Sequence, residues 1–126
     1  MAETGDTLLL VIDDESSVCR ALRRLMRGRV DEIVTAETPA DAEAILDTRA
    51  VTHVICDHLL GPGQPRGIDL ARRWRERYPA IAGLVVLTGT NVANLEAPPE
   101  VDHVLPKTTD PTELARRLGL AGAGGG

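Results

Sequence analysis

Short apolar runs alternate along the chain with segments in which apolar residues recur every three or four positions. A continuous apolar run bounded by polar residues is typical of a strand that is buried on both faces, as strands of parallel sheets are. The runs fall at 7–12, 32–36, 51–56, 82–88 and 101–105. The pattern therefore predicts five strands, each followed by a helical segment.

The helical segments are recognised by their starts and by their apolar faces. Thr38 before Pro39 and Asp110 before Pro111 are N-cap residues followed by proline at the first helical position. A third helix is predicted in 67–78, with Trp74 facing inward. The first helix is predicted to bury one apolar face formed by Val18, Leu22, Leu25 and Met26.

The fourth connection is weaker, because Pro98 and Pro99 leave room for only one or two helical turns after the fourth strand. A short or irregular helix is expected there. Alternation of strands and helices nevertheless predicts an α/β fold, an open parallel sheet with helices on both faces. In such a sheet the binding site lies outside the carboxyl ends of the strands.

Composition excludes several classes of function. The 126 residues are 43% hydrophobic and 26% charged, as expected for one soluble domain. A net charge of −5 and a single Trp and Tyr argue against direct binding of nucleic acid. No apolar run is long enough to span a membrane and the N-terminus does not resemble a signal peptide, so a cytoplasmic domain is expected. Cys19 and Cys56 are interpreted as buried apolar residues.

Polar residues follow four of the five predicted strands. They are Asp13-Asp14-Glu15, Asp57, Thr88-Gly89 and Lys107, the one lysine of the chain. Carboxylates crowded at one edge repel each other unless a cation is present, and carboxylate oxygens suit Mg²⁺. A carboxylate beside Mg²⁺ can attack phosphorus, and a hydroxyl and an ammonium can then hold phosphoryl oxygens.

Four motifs at these strand ends resemble the receiver domains of two-component response regulators. They are "LLLVIDDESSVCRALRRLMR", "VICDHLLGPG", "VVLTGT" and "HVLPK", in the family's order over about residues 7–118. The resemblance implies a flavodoxin-like, doubly wound five-stranded sheet of order 2-1-3-4-5. It also implies a receiver domain over 1–118, with 119–126 as a flexible Gly-rich tail. The long loop after Asp57 is similar to receivers attached to hybrid sensor histidine kinases.

The resemblance also implies a role for each matching residue. Asp57 is the phosphoacceptor, which takes a phosphoryl group from a histidine kinase or a phosphotransfer protein. Asp14, Asp13, Asp57 and the backbone carbonyl of Leu59 hold Mg²⁺. Thr88 and Lys107 bind phosphoryl oxygens, and Gly89 leaves room for the donor. Such a domain catalyses only its own phosphorylation and dephosphorylation and is otherwise not expected to be an enzyme. It is expected to signal by protein contact. Whether it forms a homodimer stays open.

The chain departs from the family at two positions beside the lysine. Pro106 precedes Lys107, whereas the family has proline after the lysine with a cis bond between them. Val104 stands where the family has a Tyr or Phe that changes rotamer. These differences keep a second hypothesis open, an interaction module that does not switch through phosphate. A hydrolase with an aspartyl-phosphate intermediate is a third, disfavoured because Leu59 replaces the acid that it needs.

Each residue also has an ordinary structural interpretation. The acids at 13–15 could satisfy the dipole of a helix N-terminus, Asp57 could belong to a turn, and Lys107 could be an exposed turn residue. His58 is interpreted as a loop residue rather than a ligand. The row Arg20, Arg23, Arg24 and Arg27 is either a solvated helix face or a docking surface for an acidic partner.

Overall fold

The computed structural model describes residues 7–89 and 98–120. These residues contain five strands and four helices, in alternating order up to β4. In chain order they are β1 (Leu8–Ile12), α1 (Ser16–Met26), β2 (Glu32–Ala36), α2 (Pro39–Thr48), β3 (His53–Asp57), α3 (Gly67–Arg77), β4 (Gly83–Thr88), β5 (His103–Pro106) and α4 (Pro111–Arg117). The predicted bounds of the strands hold to within two residues, and the largest shifts are at the starts of β3 and β5. The predicted short helix after β4 falls mostly on residues outside the described ranges.

All neighbouring strands are parallel, in the order β2-β1-β3-β4-β5. This confirms the expected doubly wound sheet of order 2-1-3-4-5. Strand order reverses at β1, since the chain first adds β2 on one side of it and then β3 on the other. The carboxyl ends of β1 and β3 therefore lie side by side at the switch point, where open sheets of this class bind their ligands.

The sheet is covered on both faces, and β1 shows why its sequence is apolar throughout. Alternate side chains of a strand point to opposite faces. Leu8, Leu10 and Ile12 belong to the core cluster that α2 and α3 cover. Leu9 and Val11 belong to the cluster formed with α1 and α4. A strand that contributes to two cores has no position left for a polar side chain.

The two predicted N-caps are confirmed. The hydroxyl of Thr38 accepts the backbone N–H of Asp41 at 3.1 Å. The carboxylate of Asp110 accepts the N–H groups of Thr112 and Glu113 at 2.9 and 3.4 Å. These bonds satisfy backbone donors that the first turn of a helix leaves without a partner.

The prediction that Leu25 lies on the buried face of α1 is wrong. Cys19 and Met26 are buried, whereas Leu25 is 46% exposed. Successive residues of a helix are about 100° apart, so residues spaced by seven lie nearly on one line. Cys19 and Met26 form the line that contacts the sheet. Val18 and Leu25 form the adjacent line, on which Val18 is half-buried and Leu25 is exposed.

The C-terminal helix is followed by Gly119, with φ +86°, and by Leu120, which is buried in the second core cluster. Residues 121–126 lie outside the described ranges. Within those ranges, no helix combines the length and the apolar character that crossing a bilayer requires.

Candidate functional site

Three carboxylates meet where β1 and β3 end. Asp13 follows β1 directly and is 2% exposed, Asp14 is exposed, and Asp57 is the last residue of β3 and is 4% exposed. One carboxylate oxygen from each lies within 4.8 Å of those of the other two. The register explains this, because Ile12 pairs with Cys56 and the next residues, Asp13 and Asp57, therefore lie side by side.

Lys107 supplies the positive charge of this cluster. Its Nζ lies 3.3 Å from Oδ2 of Asp13 and 3.2 Å from Oδ2 of Asp57, and its side chain is 31% exposed. The lysine begins beyond the end of β5, which is separated from β3 by β4. Its long stem is therefore needed to reach the two carboxylates.

The backbone holds Lys107 without a proline after it. Its N–H donates to the carbonyl of Thr88 at 3.0 Å, which continues the β4–β5 ladder one residue past β5. The chain then turns, because the N–H and the hydroxyl of Thr109 both donate to the carbonyl of Pro106, at 3.0 and 2.7 Å. The ladder bond and this turn aim the lysine stem at the acidic cluster.

The cluster has an excess of negative charge. Burial raises the pKa of Asp13 and the charge of Asp57 raises it further, although the N–H of Glu15 and the Lys107 ammonium oppose the shift. Burial alone would lower the pKa of Lys107, but the two carboxylates outweigh it and raise that pKa. One ammonium thus faces three carboxylates, a donor set that suits a hard divalent cation with oxygen ligands.

Thr88 and Leu59 flank the acidic cluster. Thr88 is 1% exposed and ends β4, at the same edge of the sheet as Asp57. Leu59 lies two residues past Asp57 and is 52% exposed. The loop between β3 and α3 borders the site as well, since a Cβ at Gly61 would lie 3.8 Å from Oδ2 of Asp14.

Gly67 is a supporting residue that the sequence interpretation missed. A Cβ at this position would lie 2.4 Å from the carbonyl oxygen of Asp57 and 2.9 Å from Cα of His58. The N–H of Gly67 donates to the carbonyl of His58 at 2.7 Å. The start of α3 thus packs directly on the backbone of the phosphoacceptor candidate. The local signal was a glycine at the first position of an amphipathic helix.

Two further expectations concern β5 and the residue after β3. Val104 packs half-buried against the core under α2 and α3, whereas His103 lies on the other face, with Nδ1 3.4 Å from a guanidinium nitrogen of Arg117. His58 does lie in the loop after β3, but it is buried. It does not belong to the group of described side chains that could hold a metal ion at the site, which are Asp13, Asp14 and Asp57.

Comparison with known proteins agrees with this fold. No protein-family model matches the chain. It is 34% identical over 84 residues to the acid tolerance regulatory protein ActR of Sinorhizobium medicae, covering 67% of this chain and 42% of that protein. It is 33% identical over 85 residues to the photosynthetic apparatus regulatory protein RegA of Cereibacter sphaeroides, covering 68% of this chain and 45% of that protein.

Solved structures share the whole fold. A response regulator receiver domain protein from Clostridium thermocellum superposes with a TM-score of 0.77 at 23% identity, over 90% of this chain and 91% of that one. A response regulator from Burkholderia pseudomallei, solved with a phosphorylated aspartic acid, calcium ion and citrate, superposes with a TM-score of 0.78 at 22% identity. That match covers 90% of this chain and 66% of the other.

An acidic cluster and a lysine lie at the carboxyl edge of a sheet of order 2-1-3-4-5, and the fold is that of the CheY-like receiver domains. The chain belongs to the receiver-domain family of two-component response regulators. It spans less than half the length of the curated relatives that it matches.

Proposed function

We propose that Asp57 accepts a phosphoryl group from a phosphohistidine of a histidine kinase or phosphotransfer protein. One observation carries the proposal. The carboxylate of Asp57 lies within 4.8 Å of those of Asp13 and Asp14, and 3.2 Å from the Lys107 ammonium. A nucleophilic carboxylate, a cation site and a fixed positive charge are the parts that phosphoryl transfer to aspartate requires.

In the proposed reaction, an oxygen of Asp57 attacks the phosphorus and an acyl phosphate bond forms. The P–N bond of the donor breaks, and its electron pair remains on the imidazole nitrogen. Lys107 and the hydroxyl of Thr88 hold phosphoryl oxygens, and Gly89 leaves space for the donor. The charge that develops on the transferred group is thereby stabilised by groups already in place.

Mg²⁺ is the proposed metal, with Asp13, Asp14, Asp57 and the backbone carbonyl of Leu59 as its ligands. It would supply the counter-charge that lets the carboxylate and the phosphoryl group approach each other. The clustered carboxylates fit this ion, since Mg²⁺ prefers a few carboxylates and keeps several waters. The exposed Asp14 leaves the site open to such waters.

The test is incubation with acetyl phosphate and Mg²⁺, followed by intact mass measurement. We expect a single phosphoryl adduct that is absent without Mg²⁺ and absent in Asp57→Asn. Asp69→Asn is the matched control, because Asp69 is an exposed aspartate on α3, outside the cluster, and this variant should still be modified. No adduct, or an adduct that persists in Asp57→Asn, would exclude the proposal.

The second candidate function is an interaction module that binds a partner without switching. Val104 and the order Pro106-Lys107 favour it. The aromatic side chain that changes rotamer in the family is replaced here by valine. It predicts that phosphorylation leaves partner affinity unchanged. A hydrolase is the weakest candidate, and measurable turnover of phosphate esters would revive it.

The remaining expectations stay proposals. We propose a cytoplasmic protein that acts by protein contact, without binding nucleic acid or membrane, and homodimer formation stays open. The division into a domain over 1–118 and a tail over 119–126 stays a prediction, as does the likeness to receivers of hybrid kinases. The processes for which ActR and RegA are named are not proposed for this chain, because it spans less than half of either protein.

A further inference from the structure

A surface pocket lies at the amino end of β2, whereas the acidic site lies at the carboxyl ends of the strands. It is formed by the last turn of α1, by the connection from α1 to β2 and by the first residues of β2. We call it the β2 pocket. Its volume of about 310 Å³ is at the lower end of the range that is usual for small-molecule sites.

Charges of both signs line the β2 pocket. Arg23 and Arg27 contribute guanidinium groups, and Asp31 and Glu32 contribute carboxylates. None of these four residues forms an ion pair with another of them, and neither arginine has an ion-pair partner within residues 7–89 and 98–120. Opposite charges that share a pocket without contacting each other suit a ligand that carries both charges and lies between them.

The fold holds the two carboxylates of the β2 pocket in place through one oxygen of each. Oδ2 of Asp31 accepts the N–H and the hydroxyl of Thr7, at 2.8 and 3.2 Å. Oε1 of Glu32 pairs with the guanidinium of Arg49 at 2.7 Å. In the described ranges, the second oxygen of each carboxylate has no hydrogen-bond partner. These two oxygens can therefore accept hydrogen bonds from an ammonium group, which offers three donors.

The two arginines of the β2 pocket lie four residues apart at the end of α1. Like charges at this spacing repel each other, and an anion bound between them removes the repulsion. The fork of N–H groups on a guanidinium also matches the two oxygens of a carboxylate. The arginines of α3 differ, because all four of them pair with acidic residues of the fold. Arg23 and Arg27 are thus left to bind an external carboxylate.

Val30 and Ile33 add apolar surface to the β2 pocket. Both side chains are half-buried and pack against the core cluster formed with α1 and α4. An aliphatic group placed on them would be partly removed from water, which favours binding in proportion to the apolar area covered. A matching ligand therefore has a carboxylate, an ammonium and an aliphatic group on one small molecule.

We propose that the β2 pocket binds a free aliphatic α-amino acid in its zwitterionic form. The carboxylate lies between Arg23 and Arg27, the ammonium lies at Asp31 and Glu32, and the aliphatic side chain lies on the apolar surface of the pocket. The inference does not depend on the proposed function, because the β2 pocket and the acidic site share no residue.

The probe is leucine, and amide NMR spectra of the full chain are recorded as leucine is added at low salt, constant pH and without Mg²⁺. The backbone amides of Gly28, Val30 and Ile33 should shift to saturation, with a dissociation constant of about 1 mM for so small a ligand. The amides of Thr88 and Lys107, at the acidic site, should not shift. A titration without saturable shifts at the β2 pocket would overturn the proposal.

Three analogues test the three parts of the ligand. Isoamylamine lacks the carboxylate, isocaproate lacks the ammonium and glycine lacks the aliphatic side chain. Each should bind about tenfold more weakly than leucine, because each leaves charged groups or apolar surface of the pocket without a partner. If either singly charged analogue binds as tightly as leucine, the pocket does not select a zwitterion and the proposal fails. Equal binding of glycine would overturn the aliphatic contact.

Two pairs of variants locate the bound amino acid. Arg27→Gln and Glu32→Gln each remove one charge from the β2 pocket and should weaken leucine binding by about fivefold. Arg24→Gln and Glu76→Gln make the same changes at exposed residues that do not line the pocket, and should bind leucine as the wild type does. Both pocket positions are exposed, so these variants should fold, and amide shifts outside the pocket check this. Unchanged affinity in either pocket variant would contradict the proposed contacts.

Discussion

Replacing Lys107 by Met tests whether this lysine is the counter-charge of the acidic cluster. The substitution keeps much of the apolar stem and removes the ammonium from between Asp13 and Asp57. Both carboxylates are then left without a cation, although each side chain is only 4–5% exposed.

The magnitude follows from the two distances. At 3.2 and 3.3 Å, each attraction is about 5 kcal/mol before solvation, for an effective dielectric constant of about 20. Most of this is offset by desolvation, and the lysine side chain is still 31% exposed. Exposed pairs contribute about 0–1 kcal/mol, and breaking fully buried pairs costs about 3–5 kcal/mol. We therefore expect Lys107→Met to lower the free energy of unfolding by about 2 kcal/mol.

The assay is urea unfolding followed by the fluorescence of the single Trp74, with EDTA and then with saturating Mg²⁺. The loss should fall below about 1 kcal/mol with Mg²⁺, because the ion replaces the missing charge and binds the variant without competition from an ammonium. The control is Arg117→Met, which breaks an exposed pair with Glu113 and should cost less than about 1 kcal/mol in both buffers. A variant as stable as the wild type in EDTA, or a loss that Mg²⁺ leaves unchanged, would refute the reasoning.

Three further predictions concern the residues around the site and the core. Gly67→Ala should destabilise the protein by about 1–3 kcal/mol, because its Cβ would overlap the backbone at the end of β3. The control is Gly89→Ala, which should leave stability unchanged because a Cβ at Gly89 has no atom within 4 Å. If Gly67→Ala were more stable than the wild type, the gain in helix propensity would outweigh the clash. Burial lowers the pKa of His53, so the folded state holds this proton less readily than the unfolded state. The contribution of His53 to the free energy of unfolding should therefore be fully present above the ordinary histidine pKa of 6.5. It should be lost as the pH falls below that value, by at most about 1.4 kcal/mol per pH unit. His53→Gln should reduce that slope in unfolding curves measured between about pH 7 and 5, and an unchanged slope would assign it to other groups. Trp74→Phe should cost about 1–3 kcal/mol in thermal unfolding followed by circular dichroism, since a fully buried indole loses volume and its 2.9 Å hydrogen bond to Glu43. A loss below about 0.5 kcal/mol would mean that the core closes around the smaller ring.

The chain's local pattern was sufficient to predict most of the secondary structure. The apolar runs identified all five strands, and Thr38 and Asp110 marked helix starts that their hydrogen bonds confirm. These features depend on neighbouring residues, which the sequence displays directly. For the same reason, the polar residues that follow the strands could be identified from the sequence.

The spacing of apolar residues was not sufficient to orient α1. Val18 and Leu25 lie on the same line of the helix, and so do Cys19 and Met26. Either line could have faced a sheet. Only the way in which the helix packs on β1 decides that Cys19 and Met26 are covered and that Leu25 remains exposed.

The sequence by itself determined a parallel α/β fold and placed carboxylates and a lysine at the ends of its strands. The tertiary structure alone decided that Lys107 bridges Asp13 and Asp57, and that no side chain can exist at Gly67 without moving the strand end. The physical reason is that these contacts join residues far apart in the chain. Their distances depend on the order of the strands in the sheet, on the register between them and on the close packing of helices on the sheet.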